Sequence, residues 1–205
     1  MKQKVGWMGL IAMTLALSAL GRAQDSGPAV RPQPDEPRMD GPKDASSLIV
    51  SWPENTKVTA QYLTDKYGPP DAATDARLVW NDHGQWSQIT LFREGVSDNF
   101  PTTHQNIVEN TIHYDVPREK AGELIKFDSA LTVNRISGTL SARSDSESAN
   151  ILALNLADEI VRGKRDVDSA RDFMRDTLRK SLAGKSSPYM DHLLFPIADR
   201  DQARN

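Results

Sequence analysis

The spacing of apolar residues predicts a buried helix in the last third of the chain. Leu156 and Ile160 belong to an apolar stripe that repeats every three to four residues, and Gly163 marks its expected end. Apolar side chains also occur between the stripe positions, which is typical of a helix that is covered on most sides. Ser144 and Glu147 match the S-x-x-E capping box, so we expect the helix to begin just after Ser144.

Two further helices are indicated by their end signals. Pro53 is suited to a first helical turn and Gly68 to a helix end, which predicts a helix between them. Asp166 or Asp168 is expected to cap the last helix, and Gly184 to end it. The apolar stripe expected on the helix after Pro53 comprises Val58, Tyr62, Leu63 and Tyr67.

Between these helices the apolar pattern alternates every second residue, as expected for strands. Two hairpins are predicted, one from residues 77–80 with 86–92 and one from residues 131–135 with 139–143. Another strand is expected at residues 107–116, with one apolar and one polar face. Strands that follow one another in hairpins predict an α+β domain, a two-layer antiparallel sheet of about five strands packed by the C-terminal helices.

The N-terminal residues have the pattern of a secretory signal peptide. Lys2 and Lys4 precede sixteen uncharged residues at 5–20, and Gly21 and Ala23 are the small residues that a signal peptidase requires. An uncleaved membrane anchor is the alternative, but sixteen residues are fewer than the ~20 that a spanning helix needs. We therefore expect cleavage near Ala23 and a periplasmic or secreted mature protein without a transmembrane span.

The rest of the chain divides into a linker, one domain and a tail. Residues 24–47 contain five prolines, charges of both signs and few large apolar side chains, so we expect a disordered linker. Residues 48–195 form the predicted single α+β domain, and residues 196–205 are expected to fray. A function that needs a fixed site is therefore assigned to residues 48–195.

Composition narrows the classes of function. The chain of 205 residues has a net charge of -3, and loss of residues 1–23 would remove basic residues and make it more acidic. A mildly acidic exported protein is a poor candidate for nucleic acid, whose phosphates require a basic surface. The absence of cysteine excludes disulfides, thiolate metal sites and a cysteine nucleophile.

One polar cluster carries the candidate chemistry, and it comprises Asp98, His104, Glu109, His113 and Asp115. Glu109 and His113 are an even number of residues apart and so share one face of the predicted strand. Imidazoles and carboxylates bind zinc and similar divalent ions or act as acid and base, so His104, Glu109 and His113 are the candidate metal ligands. The alternative is that these side chains form the solvated face of a half-exposed strand and hold no ligand.

Large aromatic and amide side chains have two interpretations as well. Trp52, Trp80 and Trp86 could line a ligand groove, but tryptophans in a domain of this size are more often core. Asn155 lies within the apolar helix and is expected to be a buried amide that bonds to the sheet.

Short motifs are distributed over roughly residues 50–195. They are Trp52-Pro53, Lys66-Tyr67-Gly68-x-Pro70-Asp71, Leu78-x-Trp80 with Trp86, Phe100-Pro101-x-x-His104, and Asn150-x-Leu152-Ala153-Leu154-Asn155-Leu156-Ala157. Together these motifs resemble a family of exported bacterial proteins of unknown function. The resemblance implies export and a single domain, and it implies no activity.

Two classes of function remain open at this point. The first is a non-enzymatic, exported binding or interaction module for an unknown protein or small ligand, with no cofactor. The second is a small metal-dependent or acid/base enzyme that uses His104, Glu109 and His113, with zinc or a similar ion as cofactor. The sequence has no nucleotide-binding, zinc-peptidase or serine-hydrolase motif, so the first class is favoured.

Overall fold

A six-stranded antiparallel sheet is the centre of the computed structural model. The structure describes residues 45–100 and 102–197. The strands are β1 Ala72–Ala73, β2 Arg77–His83, β3 Trp86–Asp98, β4 His104–His113, β5 Leu131–Asn134 and β6 Thr139–Ser144. Their spatial order is β1-β2-β3-β4-β6-β5, so both predicted hairpins are confirmed as neighbouring pairs.

Helices cover the sheet, and the predicted α+β class is confirmed. The α-helices of the described residues are α1 Ala45–Leu48, α2 Glu54–Tyr67, α3 Ala121–Phe127, α4 Glu147–Val161, α5 Val167–Leu182 and α6 Pro188–Asp191. α4 packs directly on β4 and β6, α2 packs on β2 and β3, and α5 packs against α3 and α4. The short β1 was not predicted and adds a sixth strand to the expected five.

The described part of the chain begins before the predicted domain boundary. α1 starts at Ala45, whose side chain is buried, so residues 45–47 of the predicted linker belong to a helix. The predicted signal peptide, residues 24–44 of the linker and residues 198–205 of the tail lie outside the described residues. Within the described ranges, no helix is long and apolar enough to cross a membrane.

α4 is buried on most of its circumference, as its sequence predicts. Leu152 and Leu156 share one face of the helix and Leu154 lies on the opposite face, yet each is 0% exposed. The predicted core position of the tryptophans is also confirmed, since Trp52, Trp80 and Trp86 are all buried. α4 and the inner face of the sheet therefore form one continuous apolar core.

The start of α4 differs from the predicted capping box. Ser144 is the last residue of β6, where it pairs with Val108 of β4. Ser146 is the N-cap instead, and its side chain accepts a hydrogen bond from the Ala149 N–H. Strand pairing holds Ser144 in the sheet, so the next serine along the chain caps the helix.

Two buried asparagines of α4 tie it to different parts of the fold. Asn155 donates to the backbone carbonyls of Tyr189 (3.0 Å) and His192 (2.9 Å), so it fixes the segment around α6. The prediction that Asn155 bonds to the sheet is therefore wrong. Asn150 does so instead, because its position on the helix faces β4, and it donates to the Val108 carbonyl at 3.0 Å.

A bulge in β3 changes the direction of this strand before its end. The pairing of β3 with β4 shifts register between Leu91 and Val96. Gly95 lies in the bulge, where a Cβ would be 2.8 Å from side-chain atoms of Gln105 and Ile107. Only glycine fits so close an approach, and beyond it β3 pairs with β4 again to the end of the strand.

Candidate functional site

A cleft of about 140 Å³ lies at the edge of the sheet where β3 ends and β4 begins. We define the cleft by Asp98, His104, Asn106, Asp128, Met174 and Leu178, which all line it. The ends of β3 and β6 and the start of β4 meet at this edge because the neighbouring strands are antiparallel. The first turn of α4 and the C-terminal half of α5 complete the walls.

Two carboxylates form the polar end of the cleft. Asp98, the last residue of β3, accepts hydrogen bonds from the Phe100 N–H at 2.9 Å and from Asn106 Nδ2 at 3.3 Å. Asp128 follows α3 and accepts a hydrogen bond from the Ala130 N–H at 2.9 Å. Neither carboxylate takes part in any of the ion pairs formed among the described residues.

The charge of Asp128 is not fully compensated. Burial raises the pKa of the Asp128 carboxyl, while the hydrogen bond from Ala130 lowers it. The negative charge of Asp98 adds to the rise, and Arg171 and His104 oppose it. The net direction is upward, so the fold pays a cost in stability to hold this carboxylate at neutral pH.

His104 and Asn106 also line the cleft. His104 Nδ1 lies 2.8 Å from the Thr102 carbonyl oxygen, which can only accept, so Nδ1 carries the proton. In the neutral ring Nε2 is then an acceptor. Asn106 is 6% exposed, and its Oδ1 has no hydrogen-bond partner among the described residues.

The nearby cations are engaged elsewhere. Arg143 donates from Nε to the Asn106 carbonyl at 3.0 Å, and its guanidinium lies 3.6 Å from the centre of the Phe92 ring. Arg171 donates to the Phe127 carbonyl at 2.8 Å and lies 4.5 Å from the centre of the Phe100 ring. Both guanidiniums are held by carbonyl and aromatic partners rather than by the carboxylates of the cleft.

The opposite wall of the cleft is apolar. Met174 and Leu178 are one turn apart on α5, and Met190 of α6 completes this wall. Met174 is 5% exposed and Met190 is 9% exposed, so the fold fixes both side chains. A cavity with an acidic end and an apolar wall fits a small molecule that has one polar group and one apolar part.

The structure does not bring the predicted metal ligands together. His104 is the first residue of β4 and His113 is the last. At ~3.3 Å per residue along a strand, Glu109 and His113 are about 13 Å apart, and His104 and His113 are about 30 Å apart. Ligands of one zinc ion lie ~2 Å from it, and the described residues contain no group of three that could hold an ion.

Of the predicted ligands, only His104 lines the cleft. Glu109 lies in an open depression beside it, where burial raises the pKa of the Glu109 carboxyl and Arg143 and Arg77 lower it. His113 is at the far end of β4, and its buried Nδ1 lacks a partner in the described part of the chain. Sequence reasoning did not find Asp128 or Asn106, because neither stands in a recognisable motif.

A buried carboxylate outside the cleft shows a contrast with the half-buried Asp98 and Asp128. Glu147, the first residue of α4, is 5% exposed and accepts hydrogen bonds from Lys66 Nζ and Trp86 Nε1, both at 2.7 Å, and from the Tyr67 hydroxyl. Burial, followed by the Glu147 hydrogen bond, raises the pKa of Tyr67 to about 12. Glu147 is thus fully partnered within the fold, whereas Asp98 and Asp128 are not.

No protein-family model, no curated protein and no solved structure matches this chain. The resemblance to exported bacterial proteins therefore stays a prediction.

Replacing Asp128 with asparagine is expected to stabilise the protein at pH 7. Because the folded-state pKa of Asp128 is raised, its ionisation costs stability above that pKa, and asparagine keeps the acceptor for the Ala130 N–H. The gain should vanish below pH 3.8, the ordinary aspartate pKa, where the wild-type carboxyl is protonated in both states. Thermal unfolding measured from pH 3 to pH 8 checks this.

The matched control for that measurement is Asp65→Asn. Asp65 is exposed on α2, and asparagine can still accept the hydrogen bond from Gln61. We expect its melting temperature to follow that of the wild type at every pH. A lower melting temperature for Asp128→Asn than for wild type at pH 7 would contradict the prediction.

Proposed function

We propose that the protein is an exported, non-enzymatic binding module and that the cleft is its ligand site. The observation that carries this proposal is the meeting of two carboxylates without ion-pair partners and an apolar wall in one cavity. Ligand sites in proteins combine apolar walls with a few convergent polar groups in this way.

The stability that the protein loses by holding a charged carboxylate in the cleft supports a role in binding. Burial raises the pKa of Asp128, so holding this carboxylate charged at neutral pH costs stability, and perturbed pKa values of this kind are concentrated at functional sites. The same fold surrounds Glu147 with four hydrogen-bond donors and leaves Asp98 and Asp128 without an ion pair. A ligand that supplies the missing partner would offset this cost on binding.

Export is the second part of the proposal, and the residues before the domain support it. Lys2 and Lys4, the uncharged stretch at 5–20 and the small residues before Gln24 match a cleavable signal. We expect the mature protein to begin at Gln24 and to be found in the periplasm or the medium. Mass spectrometry of the protein recovered from cell fractions checks this, and an intact Met1 on a membrane-bound form contradicts it.

A pair of neighbouring substitutions on α5 tests the ligand site. Ser181 lines the cleft and Lys180 is exposed outside it, so Ser181→Phe fills the cleft while Lys180→Phe adds the same ring elsewhere. We expect small molecules found by thermal-shift screening to stabilise wild type and Lys180→Phe but not Ser181→Phe. At 100 times the dissociation constant the gain should be about 2.7 kcal/mol.

Two results would contradict the proposal. Ligands that stabilise Ser181→Phe as strongly as wild type bind outside the cleft. Chemical turnover of a bound molecule, lost in Ser181→Phe and retained in Lys180→Phe, would assign the cleft to an enzyme instead. Mass spectrometry of each stabilising compound before and after incubation separates binding from turnover.

A further inference from the structure

We infer that the ligand of the cleft is a cationic amine with a small apolar body, such as an alkylamine or an arylalkylamine. This inference rests on the proposed function and specifies the chemistry of its ligand. Three features of the cleft support this inference. The carboxylates have no ion-pair partner among the described residues, the arginines nearby are already bound to carbonyl and aromatic groups, and the cleft has room for a small apolar body.

The two carboxylates of the cleft have unfilled hydrogen-bonding capacity as acceptors. Asp98 and Asp128 form no ion pair among the described residues. Asn106, which is 6% exposed, is another lining residue, and its buried Oδ1 has no partner in the described residues. When the His104 ring is neutral, its Nε2 is a further acceptor, because Nδ1 donates to a carbonyl. A primary ammonium has three donors and no acceptor, so it complements this set.

The positive groups near the cleft do not favour an anion instead. The guanidinium of Arg143 stacks on Phe92, and that of Arg171 lies against Phe100 and bonds to backbone carbonyls. The N-terminus of α4 is already satisfied, since Ser146 caps it and Glu147 places a carboxylate in its first turn. Arg143 lines the cleft, but it is already bonded to the Asn106 carbonyl and stacked on Phe92, so an anionic ligand would meet two carboxylates beside a guanidinium that other groups hold.

The volume sets the size of the ligand. The cleft holds about 140 Å³, and an apolar cavity of about 150 Å³ in another protein accommodates benzene. An apolar body of about six to eight heavy atoms is therefore the largest that fits against Met174, Leu178 and Met190. The ammonium at one end of such a molecule reaches the acidic end of the same cavity.

Three probes with the same six-carbon body test the inference: hexylamine, 1-hexanol and hexanoate. Isothermal titration of the exported protein at pH 7 should show that hexylamine binds, that 1-hexanol binds at least about tenfold more weakly, and that hexanoate does not bind. Asp98→Asn and Asp128→Asn should each weaken hexylamine binding by at least about tenfold and leave 1-hexanol unchanged. Asp65→Asn changes the net charge by the same amount away from the cleft, and it should bind hexylamine as the wild type does.

The outcomes separate this inference from the proposed function. Equal affinity for hexylamine and 1-hexanol, tighter binding of hexanoate, or no binding of any probe would overturn the inference. The proposed function would stand in each case if other small molecules bind in a manner that Ser181→Phe abolishes. Hexylamine binding that Ser181→Phe leaves unchanged would overturn the inference, because the amine site would then lie outside the cleft. Circular dichroism and melting temperatures confirm that each variant is folded before titration.

Discussion

Replacing Glu147 with alanine is expected to lower the free energy of unfolding by about 2 to 4 kcal/mol. The carboxylate is 5% exposed and binds Lys66 Nζ and Trp86 Nε1, both at 2.7 Å. Its removal leaves the buried Trp86 N–H with only the Tyr67 hydroxyl, at 3.1 Å. Lys66 retains 43% exposure and can be hydrated, so the loss falls short of that for a wholly buried ion pair.

Urea unfolding of two further variants checks the cause of that loss. Glu147→Gln keeps an acceptor for Trp86 and Tyr67 and should cost less than Glu147→Ala. Glu54→Ala removes the 82% exposed partner of a surface ion pair with Lys57 and should change stability by no more than about 0.5 kcal/mol. Equal losses in Glu54→Ala and Glu147→Ala would contradict a special role for the buried network.

The Glu147→Gln variant also has a spectroscopic readout. The pKa of Tyr67 is about 12 because of burial first and the charged Glu147 second. Removing the charge should lower this pKa, but it should stay above the ordinary value of 10.0 because burial remains. Absorbance titration of the tyrosines therefore distinguishes loss of the carboxylate charge from general unfolding.

Local patterns were sufficient to predict the hairpins and the three long helices α2, α4 and α5. The strands of both hairpins pair as predicted, and the apolar stripe of α4 is buried. The face of α2 was predicted less well, since Val58 is 62% exposed and Tyr62 is 51% exposed. The buried face instead contains Thr56 and Ala60, because small side chains let α2 approach the bulge of β3, where Thr56 bonds to the Arg93 carbonyl.

Tertiary pairing explains why the capping box was misplaced. Ser144 and Glu147 have the right spacing, but β4 takes Ser144 into the sheet by pairing with β6. Glu147 bonds to Lys66, Tyr67 and Trp86 rather than to the start of its own helix. These partners lie at least 61 residues away along the chain, so no local pattern contains them.

The cleft was largely beyond sequence reasoning for the same reason. Asp98 and His104 were predicted as candidate site residues, and both line the cleft. Asp128 joins them only because β5 and β6 return to the edge of the sheet where β4 begins. Glu109 and His113 share a strand face as predicted, but four residues of strand at ~3.3 Å each place them about 13 Å apart, too far for one zinc ion.

Replacing Leu156 with alanine is expected to lower the free energy of unfolding by about 2 to 5 kcal/mol. Leu156 is 0% exposed on α4, and the loss combines the lost burial of its side chain with the cavity that remains. The upper part of this range is expected because β4, β6, α3, α5 and α6 surround α4. With neighbours on most sides, no single element can move into the space without losing contacts elsewhere.

Leu182→Ala is the matched control for this substitution, because it makes the same chemical change on a neighbouring helix. Leu182 is 78% exposed at the end of α5, so its replacement should change stability by no more than about 0.5 kcal/mol. Chemical denaturation of both variants beside the wild type gives the comparison. A loss below about 1 kcal/mol for Leu156→Ala would mean that the core relaxes around the cavity, and it would contradict the position of α4 between the sheet and the outer helices.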